Sequence, residues 1–154
     1  MLYFAYGSNM DPYQIRQRCP SSRFMGTAIL RDHRLAFTLR SKRRRCGVAN
    51  VLPAAGQEVH GILYRINRRR DWDVLDAAEG YKSLRRRGNR YRKELLPIHT
   101  PGYPEVVLSW IYLGTIENAP PPPSPAYLGQ MREGAEYWGL PKAYQKFLAE
   151  LLKA

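Results

Sequence analysis

The opening of this chain constrains its fold more than any other stretch. Residues 2–6 are apolar and aromatic, the composition of a buried strand. The run breaks into Gly7-Ser8-Asn9, and Asp11-Pro12 follows as the N-cap and first residue of a helix. A strand that turns into a helix through glycine and small polar residues leaves several backbone N–H groups unpaired. Such a turn can hold an anion or a developing oxyanion. On the tripeptide alone, an ordinary strand-to-helix turn is the simpler reading.

Strand-favouring residues dominate the middle of the chain. Residues 24–30 and 34–39, separated by turn-like Arg31-Asp32-His33, read as a hairpin, followed by a basic loop over 40–46. Residues 47–52 form a strand stopped by Pro53, with a turn over 54–57. In the strand over 58–66, Ile62, Tyr64 and Ile66 face one side and Val59, Gly61 and Leu63 the other, so both faces are expected to be covered. Gly61 marks a bend or the close approach of another group.

Asn67 is the expected cap of a helix over 68–78, with Gly80 just past its end. Trp72, Leu75 and Glu79 share a face of it, the first two as core anchors and Glu79 where the apolar stripe ends. Residues 81–89 are basic and irregular. Strands over 90–98 and 105–113 flank a turn at 100–104, and a proline-rich connector covers 115–125. Ser124-Pro125 restarts helix through 137 and Gly139 closes it. Pro141 then opens a last helix whose Tyr144, Phe147, Leu148 and Leu151 should pack on the sheet. Strands in the middle with helices around them imply a mixed α/β or α+β single domain over residues 1–154.

The chain has 154 residues, 44% of them hydrophobic, enough for one globular domain with a real core. No apolar run approaches the ~20 residues that span a bilayer, and no basic region precedes the first apolar segment, so neither a membrane span nor a cleaved signal peptide is expected. Cys19 and Cys46 form no scaffold pattern and have no recognisable base beside them, which fits a reducing cytoplasm. His33, His60 and His99 are isolated and lack ligand spacing, so no metal is expected, and no glycine loop of a nucleotide site occurs.

Charge is the unusual feature. Lys and Arg number 25 against 13 acidic residues, giving a net charge of +12. The arginines cluster at 40–45, 68–70 and 85–92. Such a balance admits RNA or another polyanion as a partner. No nucleic-acid motif accompanies the clusters, and solvated charge or host composition explains them as readily. Nucleic acid therefore stays a secondary partner.

Three segments together carry a more specific signal: Tyr3 to Met10 (Tyr-Phe-Ala-Tyr-Gly-Ser-Asn-Met), Leu75 to Gly80 (Leu-Asp-Ala-Ala-Glu-Gly), and Ala119 to Tyr127 with Gly139 to Gln145. They resemble, in order and over nearly the whole chain, the gamma-glutamylcyclotransferase family. The resemblance implies an α+β fold, a small, mainly antiparallel β-barrel with flanking helices. It also implies a cofactor-free enzyme acting on a small γ-glutamyl substrate, as a monomer or a homodimer.

In such an enzyme the substrate's α-amine attacks its own γ-carbonyl, releasing 5-oxoproline and an amino acid or amine. Glu79 corresponds to the family's acidic residue and would serve as general acid and base. Asp73 and Asp76 are rivals, Asp76 ranking lower because it points to another helix face. Tyr3, Phe4, Ala5, Tyr6, Gly7, Ser8 and Asn9 would bind substrate, the turn supplying N–H donors. Tyr127 would touch or cover the substrate. Tyr91 matches a further tyrosine across a segment longer and more basic than the family's pattern, which leaves the leaving group open. The same pocket could take another γ-glutamyl amide (glutathione, a γ-glutamylamine or a pathway intermediate). A non-enzymatic polyanion binder is the third reading.

Overall fold

The computed structural model describes residues 1–81, 89–102 and 105–153. Five strands close into a barrel in the order β1-β3-β2-β4-β5: β1 (Leu2–Ala5), β2 (Arg23–Ser41), β3 (Cys46–Arg65), β4 (Tyr91–His99) and β5 (Val106–Gly114). Neighbours pair antiparallel except at the closure, where β1 meets β5 in parallel with Tyr3 opposite Trp110. Around the barrel lie α1 (Pro12–Arg18), α2 (Arg69–Ala78), α3 (Pro125–Trp138) and α4 (Lys142–Leu151). The basic irregular segment expected at 81–89 and the turn at 100–104 lie partly outside the described residues, as do Arg85, Arg86 and Arg87 of the third basic cluster.

The expected hairpin over 24–39 is instead one continuous strand. At Arg31-Asp32-His33 the chain does not reverse. Asp32 takes a left-handed conformation (φ 59°), the register with β3 slips by a bulge, and the Asp32 carboxylate accepts the Gly56 N–H at 3.0 Å. The stop expected at Pro53 and the turn at 54–57 fail likewise, since β3 runs through both with Pro53 opposite His33 beside the bulge. The basic loop shrinks to a four-residue turn, Lys42 to Arg45, at the tip of one long β2–β3 hairpin. Pro97 lies inside β4.

Both faces of β3 are covered as expected: Val59 and Leu63 on one side and Ile62 and Tyr64 on the other are buried, and Gly61 is where β1 comes close. A methyl at Gly61 would collide with the Ala5 carbonyl and the Phe4 ring. Asp11 caps α1 through the Tyr13 N–H at 3.0 Å, and Ser124 caps α3 through the Tyr127 N–H at 3.1 Å, both with proline at the first turn.

Helix α2 differs from expectation at its start. Arg68, not Asn67, is the N-cap, and Asn67 accepts the terminal ammonium at 3.2 Å. Its end is as expected: Gly80 is left-handed (φ 69°), with Trp72 and Leu75 buried. The α4 stripe is only half covered, with Tyr144 and Leu148 buried but Phe147 exposed.

Candidate active site

The strand-to-helix turn after β1 is a single 3-10 turn, Ser8–Met10. The first N–H groups of a helical turn have no intrahelical partner, and Gly7 at its N-cap offers no side chain to occupy them. Three elements fix the turn. Tyr64 on β3 donates to the Asn9 carbonyl at 2.9 Å, Trp138 on α3 donates to the Met10 carbonyl at 2.9 Å, and Gln14 on α1 donates to Ser8 Oγ at 2.7 Å.

Asn9 is the hub. Its amide nitrogen donates to Tyr3 Oη at 3.0 Å and to Glu79 Oε1 at 3.3 Å. Its oxygen accepts from Gln14 at 2.8 Å and Arg18 at 2.9 Å. A buried asparagine with every donor and acceptor engaged is rigid, and it aims its amide at the Glu79 carboxyl.

Glu79 stands at the end of α2, on the wall of a cavity of about 510 Å³. It is the one acidic side chain among the described residues lining that cavity, which also exposes Arg18, Lys42, Arg43, Arg44 and Arg90. Burial is the main reason its pKa is pushed up to about 7. Arg18 and Arg44 pull it down, and Asp76 pushes it up. A carboxyl poised near neutrality can both accept and return a proton.

Of the other expected site residues, Tyr3, Phe4, Tyr6, Gly7, Ser8, Asn9, Tyr91 and Tyr127 line the same cavity. Ala5 does not. It is buried in β1 opposite Ile62, with its carbonyl against Gly61. Tyr127 and Tyr91 bracket one residue of β3: Tyr127 Oη accepts the Ala49 N–H at 3.0 Å, and Tyr91 donates to the Ala49 carbonyl at 2.8 Å. Tyr127 Oη lies so close to Gly7 that a methyl there would sit 3.1 Å from it. Tyr6 donates to the Tyr112 carbonyl at 2.6 Å.

Asp76 leaves the lining, as its helix position implies. It accepts from Tyr112 Oη and from Lys93 Nζ at 3.1 Å. Lys93 is enclosed by the rings of Trp72, Trp110, Tyr81 and Tyr112, at 4.4 to 5.9 Å. Asp73 is exposed.

Sequence reasoning missed Arg18, Arg44, Arg90, Val74 and Tyr112. For Arg18 a signal existed, since it follows Asp11 by seven residues on a helix that starts at the turn. For Arg44 there was none, because only the unbroken β2–β3 hairpin carries it to the cavity.

Comparison with known proteins places the chain in a family and matches its fold. A family model described as gamma-glutamyl cyclotransferase, AIG2-like, matches residues 3–129. The mouse gamma-glutamylcyclotransferase is 34% identical over 151 residues, covering 96% of this chain and 76% of the relative. A solved gamma-glutamyl cyclotransferase structure superimposes with a TM-score of 0.85 at 31% identity, over 97% of this chain and 86% of the other. A yeast gamma-glutamyl cyclotransferase specific to glutathione shares the fold at a TM-score of 0.63 and 15% identity, over 99% and 95% of the two chains. The barrel, its cavity and the match along most of its length make this chain a member of the gamma-glutamyl cyclotransferase, AIG2-like, family.

Proposed function

We propose that this protein is a gamma-glutamylcyclotransferase that closes the glutamyl part of a γ-glutamyl amide into 5-oxoproline and releases an amino acid or amine. The observation that carries this reading is Glu79, one carboxyl in a cationic cavity, hydrogen-bonded to the turn and held near neutral pKa.

The reaction follows from that placement. The Glu79 carboxylate takes a proton from the substrate α-ammonium, freeing the nitrogen lone pair to attack the γ-carbonyl carbon. The new C–N bond makes the five-membered ring, and the carbonyl electrons move onto oxygen. Backbone N–H groups of the Gly7-Ser8-Asn9 turn stabilise that oxyanion. As the carbonyl reforms, the old C–N bond breaks and its electron pair leaves on the departing nitrogen. Each proton lost by the attacking nitrogen is gained by the departing one, so a single carboxyl can carry both legs. Tyr127, beside Gly7, and Tyr91 line the same cavity and keep the glutamyl chain curled so that amine and carbonyl meet.

Two free, buried cysteines support a reducing, cytoplasmic setting. The yeast relative's glutathione specificity comes with shared fold alone, so it does not favour glutathione here. The polyanion reading loses ground because several of its arginines are spent on the cavity wall.

The test is incubation with γ-glutamyl dipeptides and glutathione, following 5-oxoproline by mass spectrometry, with Glu79→Gln in parallel. Lactam from the wild type and none from the variant is expected. Full turnover by Glu79→Gln would refute the proton shuttle.

A further inference from the structure

We infer that Arg44, with its neighbours on the β2–β3 turn, reads the leaving group, and that the preferred substrates release an amino acid bearing two carboxylates. This rests on the cyclisation proposed above.

Lys42 and Arg43 are exposed and line the cavity, marking its mouth. Arg44 reaches inward from the same turn. Its guanidinium lies over the Tyr127 ring at 5.1 Å and donates to Gln130 Oε1 at 2.9 Å and Gln14 Oε1 at 2.8 Å. Both partners are neutral amides. Among the described residues, no carboxylate lies within ion-pair distance of Arg44 or Arg18. Asp11, the nearest acid in this network, bonds to the Gln130 amide instead, at 2.8 Å.

A half-buried cation with no carboxylate at ion-pair distance is under-compensated, and burial, opposed by Tyr127 and reinforced by Arg43 and Arg18, lowers the Arg44 pKa from its ordinary value. The two glutamines hold the fork in place without neutralising it. This is a preformed anion receptor, and a planar guanidinium suits a carboxylate in particular.

In the proposed reaction the glutamyl half is engaged by its amine at Glu79 and by its reacting carbonyl at the Gly7-Ser8-Asn9 turn. What extends toward the mouth is the substituent on the amide nitrogen. A γ-glutamyl alkylamide is a net-neutral zwitterion. A γ-glutamyl neutral amino acid carries one net negative charge, and a γ-glutamyl acidic amino acid two. In a concave site lined by five cations and one carboxyl, that ladder should appear as a ladder of specificity.

The experiment compares kcat/KM for γ-glutamyl-glutamate, γ-glutamyl-alanine and γ-glutamyl-ethylamide at low and high ionic strength, in the wild type and in Arg44→Gln. In the wild type the order glutamate, alanine, ethylamide is expected, with about tenfold between the ends at low salt and compression of the ladder by added salt. In Arg44→Gln the glutamate-to-ethylamide ratio should collapse toward one. Arg43→Gln, at an exposed position, should compress the ratio partly, and it supplies the answer if Arg44→Gln does not fold.

Equal rates for all three substrates in the wild type would overturn the inference while leaving the cyclisation intact. So would an Arg44→Gln variant that loses all three equally, because Arg44 would then be reading the glutamyl carboxylate. Absence of lactam from every substrate would instead defeat the cyclisation itself. Calorimetric binding of the same three compounds to Glu79→Gln tests the charge ladder without turnover, and equal affinities there also overturn it.

Discussion

Replacing Glu79 by glutamine should abolish activity and, above neutral pH, make the protein more stable. The folded protein holds the Glu79 proton more tightly than the unfolded chain does. Its pKa is pushed up to about 7 by burial, against ~4.3 for a solvated glutamate. Between those values the folded state binds more protons than the unfolded one, so stability falls as pH rises through that window. Above pH 7 the whole cost is present, about 4 kcal/mol at 1.36 kcal/mol per tenfold change in proton affinity. Below pH 4 it is absent.

Glutamine keeps an oxygen for the Asn9 amide and carries no charge, so it escapes this cost. For a chain of this length about 4 kcal/mol corresponds to a Tm rise of about 12 °C. Thermal unfolding of both proteins at pH 4, 5.5, 7 and 8.5 is the assay. The curves should coincide at pH 4 and separate steadily to pH 8.5, with the variant higher. A pH-independent difference, or a wild type that is the more stable at pH 8.5, would show that the Glu79 carboxyl is not desolvated in the fold.

Other perturbations test the surroundings of that carboxyl. Asp76 raises the Glu79 pKa, so Asp76→Asn should move the acidic limb of kcat/KM to lower pH. Lys93→Met, which strips Asp76 of its ion pair, should move it higher. The pH–rate profiles of the two variants bracket the wild type if the electrostatics are right. Tyr127→Phe leaves the buried Ala49 N–H without an acceptor and should cost about 1–3 kcal/mol by denaturant unfolding. Gly61→Ala places a methyl against the Ala5 carbonyl and the Phe4 ring. It should cost about 1–3 kcal/mol or more and displace β1, visible as a lowered Tm together with reduced kcat.

The sequence revealed element types better than it revealed strand lengths, and the reason is local. Asp32 and Pro53 are residues that end strands in most contexts. Here they lie in the same irregular stretch of one hairpin: Asp32 is bulged out of the register with its carboxylate on the Gly56 N–H, and Pro53 pairs with the neighbouring His33, so neither breaker makes a turn. Nothing in either stretch read separately reports that pairing. Gly61 behaved differently: a glycine inside an apolar strand left a bend or a close approach open, and the structure shows the second, with the Ala5 carbonyl as what approaches. Barrel closure was implied only by resemblance, since the single parallel register of Tyr3 with Trp110 leaves no periodic trace.

For the site, the same division separates what the chain writes locally from what the fold brings together. The element boundaries at Gly7-Ser8-Asn9 and at the end of α2 were legible from local sequence chemistry, but the functional reading of the turn and of Glu79 came only from the resemblance of their segments to the family. The arginines were not, because charge on a turn ordinarily means solvent. The unbroken β2–β3 hairpin changes that meaning. Its tip returns to the mouth of the cavity, where Gln14 and Gln130 hold Arg44 without neutralising it, and one basic loop residue becomes part of the wall facing Glu79. The continuity of β2 past Asp32 thus matters beyond the fold, since the turn that carries Arg44 to the cavity is the tip of that one long hairpin.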